Sequence, residues 1–201
     1  MKCLELVAGF DPGGQGKFGW CIAQTSPPNL SLIEAGIANH AMDAFCKVKK
    51  SVAEQSGELI AAGIDAPLYW PYTGQSRASD KYVRKQINPK SKGSAGTVQA
   101  VNSLRGACLA QGIMIAAMIE KKYPACRITE THPKALLVVC PGAKQLAGDG
   151  KTEHERDAII SAWAAAQFAS NNGRNLYDCE NKTAIHDFLK EPWYWWPCGK
   201  P

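Results

Sequence analysis

With 201 residues, 45% of them hydrophobic, the chain has the length and composition of one globular domain with a sizeable core. Its apolar runs fall well short of the ~18 residues that a membrane span needs, and the N-terminus carries no secretory cleavage pattern, so a cytoplasmic protein with no membrane partner is expected. The net charge of +5 comes from one stretch, where Arg77, Lys81, Arg84, Lys85, Lys90 and Lys92 face the single acid Asp80.

The first element is an apolar strand from Leu4 to Asp11. Leu4, Leu6, Ala8 and Phe10 point one way, and Glu5, Val7, Gly9 and Asp11 the other. Apolar residues on both faces suit an inner strand covered by helices. Pro12 ends its pairing, and Gly13, Gly14 and Gly16 allow a tight return into a second strand from Phe18 to Ala23. Leu30 to Ala38 reads as a third strand and Ala41 to Gln55 as a helix. Leu59 to Asp65 is a fourth strand that again ends in an acid, with Pro67 two residues behind it.

Residues from Trp70 to Thr97 are rich in turn formers, aromatics and cations, with room for a short helix from Ala78 to Gln86. A connection this long in a compact domain is often functional. Val98 to Lys121 reads as a long helix, and Ala125 to Thr129 as a fifth strand leading into Glu130. Pro133 opens a short helix, and Pro141 to Lys151 reads as a loop. Thr152 then caps a strong helix, with Glu155 as its capping-box partner. On that helix Asp157 shares a face with Ile160, Ala164 and Phe168, and His154 stands one turn before it. The tail holds a candidate helix from Lys182 to Leu189 and then four adjacent aromatics, Trp193 to Trp196. Those aromatics either stack on bases or pack over the domain, and the packing reading is preferred.

Eight cysteines are present, but no two lie closer than 14 residues, so there is no zinc-finger spacing and most are expected to be reduced thiols in the core. Asp11 and Asp65 each end a strand, and a desolvated acid in such a place calls for a donor or a metal. The bland alternatives are an aspartate that caps its turn, and an Asp157 satisfied by Arg156 or by the helix end. The basic stretch attracts phosphates or is simply a solvated surface.

The order of elements, three meandering strands, helix, strand, insertion, helix, strand and helix, resembles the ribonuclease H-like fold. It is an α/β architecture with a five-stranded mixed sheet flanked by helices. More closely, the chain resembles a family of predicted nucleases of that fold, domain of unknown function 429. The matching pieces are Gly9-Phe10-Asp11 with Gly19-Trp20, Gly63-Ile64-Asp65-Ala66-Pro67, Arg77-x-x-Asp80 with Arg84, Glu130-Thr131-His132-Pro133, His154-x-x-Asp157-Ala158 and Trp195-Trp196-Pro197. They imply one domain over residues 1–201, with a basic insertion at about 70–97 and an aromatic tail.

Similarity to Holliday-junction resolvases implies a metal site of Asp11, Asp65, Asp157 and His154, with Glu130 as a further acid. Asp65 departs from the pattern, since resolvases usually carry glutamate at that strand. Hard oxygen donors suit Mg²⁺ or Mn²⁺ and phosphodiester hydrolysis. Lys17, Arg77, Lys81, Arg84 and Lys85 are the candidate contacts to a DNA or RNA substrate, and a homodimer would suit a resolvase-like reaction. Two other readings stay open. One is an actin-like or sugar-kinase-like phosphotransferase, although Asp11 and Phe18 break the P-loop pattern around Lys17. The other is a non-catalytic module that binds nucleic acid or protein.

Overall fold

The strand that carries Asp11 lies at the centre of the sheet. The structure, a computed structural model, describes residues 4–26, 29–71, 77–87, 98, 106–179, 184–185 and 194–198. Its elements are β1 (Leu4–Asp11), β2 (Phe18–Ser26), β3 (Asn29–Ala38), α1 (Ala41–Glu54), β4 (Gly57–Ile64), β5 (Trp70–Pro71), α2 (Ala78–Ile87) and α3 (Gly106–Lys122). They continue with β6 (Arg127–Glu130), α4 (Pro133–Val139), α5 (Pro141–Gln145), α6 (Glu153–Ala169), β7 (Arg174–Asn175), β8 (Ala184–Ile185) and β9 (Trp195–Trp196).

Five strands form the main sheet in the order β3-β2-β1-β4-β6. β2 is antiparallel to β1, whereas β4 is parallel to β1 and β6 to β4. This is the mixed, ribonuclease H-like arrangement that the sequence led us to expect. The alternation along β1 divides the core. Leu6, Ala8 and Phe10 pack with Ala44 and Val48 of α1 and Ile115 and Ile119 of α3. Val7 packs with Ala158, Ile159 and Ala162 of α6 on the opposite face. Asp11 shares the parity of Val7 and therefore the α6 side. A register shift between Leu6 and Val7 brings Ala61 level with Val7, and so puts Gly63 and Asp65 on the α6 side as well.

Glycines let α6 lie directly on the sheet. A Cβ on Gly9 would collide with the backbone of Ala158 and Ala162, one on Gly19 with that of His154, and one on Gly63 with that of Ser161. These three positions lie on β1, β2 and β4, so the helix is seated across the sheet centre along most of its length. Thr152 fixes its start, accepting the Glu155 N–H at 3.1 Å. The Glu155 carboxylate accepts instead from the Lys151 N–H at 2.8 Å, one residue before the expected capping-box partner.

Several expectations are corrected. Pro141–Gln145 is helical rather than loop, with Pro141 supplying a preset first-turn geometry. Ala184–Ile185, expected to be helical, is a strand paired with Trp70–Pro71, and the rest of the Lys182–Leu189 segment lies outside the described residues. The long helix is described from Gly106; Val98 itself is not helical, and 99–105 lie outside the described residues. Tyr194, Trp195 and Trp196 are buried, which agrees with packing and leaves them unavailable to stack on bases. Cys140 and Cys198 are bonded to each other, not reduced, a pairing that 58 residues of separation hide from any spacing rule. Among the described residues no helix is long and apolar enough to cross a membrane.

Candidate active site

Parallel pairing of β1 with β4 brings two acids together. Phe10 is level with Ile64, and the Asp65 N–H donates to the Phe10 carbonyl at 2.9 Å. Asp11 and Asp65 therefore leave adjacent strands side by side, at the carboxyl edge where open α/β sheets bind ligands. The first turns of α6 lie above them. His154 Nδ1 is 2.6 Å from Asp11 Oδ2, with the imidazole 34% and the carboxylate 13% exposed. Asp157 is buried in the second turn, and Arg156 donates to its Oδ1 through Nε at 2.8 Å and a terminal nitrogen at 2.6 Å.

The electrostatics follow from this crowding. Burial pushes the Asp65 carboxyl well above the usual carboxylate range, and the charges of Asp11 and Asp157 push it further. Asp65 nevertheless keeps part of its surface open to solvent. Among the described residues, no hydrogen bond reaches its carboxylate. Burial also raises Asp157, against the opposing pull of Arg156. His154 is raised mainly by its hydrogen bond to Asp11, so its imidazolium persists above the ordinary histidine range.

Lys134, which the sequence reading passed over, belongs to this site. It follows Pro133 at the start of α4, and its Nζ is 2.7 Å from Glu153 Oε1. Its charge pulls against the upward shift of both Asp65 and Asp157. The available signal was its position, four residues beyond the strand-end acid Glu130 and so on the same edge of the sheet.

Glu130 and Arg77 pair with each other at the same edge, near enough for the Glu130 charge also to raise Asp65. Glu130 ends β6, and its two carboxylate oxygens accept from the Arg77 guanidinium at 2.6 and 2.7 Å. Arg77 also donates to both oxygens of Asp80, at 2.8 and 3.0 Å, and to the Tyr69 carbonyl at 3.3 Å. Glu130 Oε2 accepts further from the Leu68 N–H at 3.0 Å. All three side chains are nearly or fully buried. Burial disfavours the Arg77 charge, but Glu130 and Asp80 outweigh it and hold the guanidinium charged. Arg77 is thus not a surface cation open to phosphate, and Glu130 does not face the aspartate group with a free carboxylate. Together they anchor the start of α2 at the carboxyl end of β6. Lys81 and Lys85 are exposed on α2, while Arg84 is half-buried and donates through Nε to the Val98 carbonyl at 2.8 Å. Lys90 and Lys92 lie outside the described residues. Lys17 is exposed in the β1–β2 turn, beside the end of β1.

Among the described residues no three or more His, Cys, Asp or Glu side chains form a ready-made metal cage. Asp11 is held by His154 and Asp157 by Arg156, so the acids are partly occupied by the protein's own cations.

Residues 9–189 match the family model described as "Protein of unknown function (DUF429)". The chain belongs to this DUF429 family. No curated protein matches it. Among solved structures, this DUF429 chain is similar to "T. thermophilus RuvC in complex with Holliday junction substrate", at 11% identity and a TM-score of 0.41, over 83% of this chain and 94% of that one. At that distance nothing about the other protein's activity is carried over.

Proposed function

We propose that this protein is a divalent-metal-dependent phosphodiester hydrolase that acts on DNA or RNA. The observation that carries the reading is the placement of Asp11 and Asp65 on adjacent parallel strand ends, beneath His154 and Asp157 of α6. The donor set fits a hard cation, since it is dominated by carboxylate oxygens. Asp65 adds a further sign of fit: it is an enclosed carboxylate that no hydrogen bond from the described residues satisfies. Asp11, Asp65, Asp157 and His154 would hold Mg²⁺ or Mn²⁺, which supplies charge neutralisation at phosphate and a more acidic bound water.

The chain's own groups have distinct parts in this reading. Asp11 orients the His154 ring and favours its protonated form, so that a proton is kept at the edge of the site. Lys134 and Arg156 offset the acids' mutual repulsion from the helix side. Lys17, Lys81 and Lys85 are exposed and offer point charges to flanking phosphates. Binding through such charges weakens steeply as salt rises.

The test is a cleavage screen of single-stranded, duplex and branched DNA and of RNA, with Mn²⁺ and with Mg²⁺. Asp11→Asn and Asp157→Asn should abolish any cleavage while the protein stays folded. Salt-sensitive binding without cleavage, unchanged in both variants, would favour the non-catalytic binding module. ATP hydrolysis with every nucleic acid spared would favour the phosphotransferase.

A further inference from the structure

The C-terminal strand lies at the edge of the main sheet, its aromatic side chains buried and its backbone fastened at a few points. Tyr194 lies alongside Glu130, and the Trp195 N–H donates to Thr129 Oγ1 at 2.8 Å. The Tyr194 N–H donates to Asn175 Oδ1 at 3.0 Å, and β9 pairs with β7 over only two residues. Trp196 meets the Tyr82 ring edge-on, which joins the strand to α2. Two residues beyond β9, Cys198 is bonded to Cys140, which closes α4, with the Cα atoms 5.7 Å apart. That separation is ordinary for a disulfide.

The fastening bears on the loop that follows Asp65. The strand flanks Glu130, and Glu130 accepts from the N–H of Leu68, three residues after Asp65. At the other end of the bond, Cys140 terminates the helix whose first turn carries Lys134.

Two observations set this bond apart from a permanent staple. Cys198 is only half-buried, whereas Cys140 is buried, so Cys198 is the more open end of the bond to thiol exchange. Cys46 is exposed on α1 and remains a free thiol in the same molecule. An exposed free thiol together with a disulfide among the described residues suits surroundings in which thiol exchange proceeds, and there disulfides tend to be regulatory. We propose that Cys140 and Cys198 form a thiol–disulfide switch that fastens or releases the C-terminal strand, exchanging with a small-molecule thiol or disulfide of the glutathione class.

The chemistry balances. The Cys198 thiolate attacks one sulfur of the small disulfide, giving a mixed disulfide and one small thiol. The Cys140 thiolate then displaces the second small thiol and closes the protein disulfide. The protein loses two electrons and two protons, and the small disulfide gains them. Reduction runs the same steps in reverse.

The experiment equilibrates the full chain in glutathione buffers of graded thiol-to-disulfide ratio. Thiols are trapped by alkylation and located by peptide mass spectrometry, with melting temperature and limited proteolysis followed in parallel. The pair should titrate within that range. Reduction should lower Tm by about 8–16 °C, as expected for opening a loop of this length in a domain of this size. Cleavage in the C-terminal strand should speed up at least about tenfold. Cys198→Ser should behave as the reduced protein in every buffer. The proposal is overturned if the pair stays oxidised in a large excess of thiol, if it stays reduced in glutathione disulfide alone, or if its reduction leaves Tm and strand cleavage unchanged.

Discussion

Two groups of acids lie at the same edge of this sheet and are wired in opposite ways. On the β6 side, Glu130 and Asp80 close around one buried guanidinium, and Leu68 adds a backbone donor. Each charge there has partners at hydrogen-bond distance, which is how a buried ionic group is tolerated. On the β1–β4 side, Asp11 and Asp157 are each held by one cation, His154 and Arg156, while Asp65 is raised by burial and by its acidic neighbours against the pull of Lys134, and no hydrogen bond from the described residues reaches its carboxylate. The first group is complete as it stands and holds α2 in place. The second is short of positive charge, the condition that a divalent cation relieves. Residue type does not separate the two groups; wiring does.

The contrast is broken most severely at Arg77. Arg77→Met leaves two buried carboxylates without their cation and should destabilise the protein by about 3–5 kcal/mol, read by urea unfolding. A change under about 1 kcal/mol would mean that the pairs are not formed in solution.

Neutralising one acid in each group sharpens the comparison, because opposite signs are expected. Glu130→Gln removes half of a charge-assisted pair and should cost about 1–3 kcal/mol. Asp65 carries a raised folded-state pKa, so its contribution to stability is present below its unfolded value and lost as pH rises through the folded one. Above its unfolded value the group is therefore a burden on the fold. Asp65→Asn should raise Tm by about 2–4 °C at pH 7, the shift that 1 kcal/mol produces in a domain of this size, and the gain should vanish in acid. Differential scanning calorimetry of both variants across pH decides this, and destabilisation by Asp65→Asn at pH 7 would contradict it.

The smallest effect lies at His154. Its folded-state pKa is raised by Asp11, so its stabilisation is complete below the ordinary histidine value and lost as pH rises through the higher folded value. With the ring 34% exposed, solvent screening keeps this to at most roughly 1 kcal/mol. The Tm gap between wild type and His154→Gln should therefore be widest in mild acid and close with increasing pH.

The second group was legible in the sequence because its signals are local. Asp11 and Asp65 each end a strand with a proline one or two residues behind, and Asp157 follows from 3.6-residue periodicity along α6. The parity of β1, with Gly9 and Asp11 on one face, already set the side that α6 covers. The first group was not legible, because Arg77 and Glu130 are 53 residues apart and an arginine in a basic stretch looks like a surface cation. Burial chose otherwise: the Tyr69 and Tyr194 rings and two carboxylates surround the guanidinium. β8 escaped for a similar reason, since a two-residue pairing with β5 leaves no periodic trace.

The claim that the β1–β4 group is short of positive charge at Asp65 is tested most directly by following Tm of wild type and Asp65→Asn during Mn²⁺ titration at pH 7. A ligand at free concentration L that binds only the folded state stabilises it by RT ln(1 + L/Kd), so Tm keeps rising with its concentration. Wild type should begin lower and climb with Mn²⁺, by about 2.7 kcal/mol of stability at a hundredfold excess over Kd. Asp65→Asn should begin higher and stay flat. Equal responses of the two proteins, or none from wild type, would contradict the account.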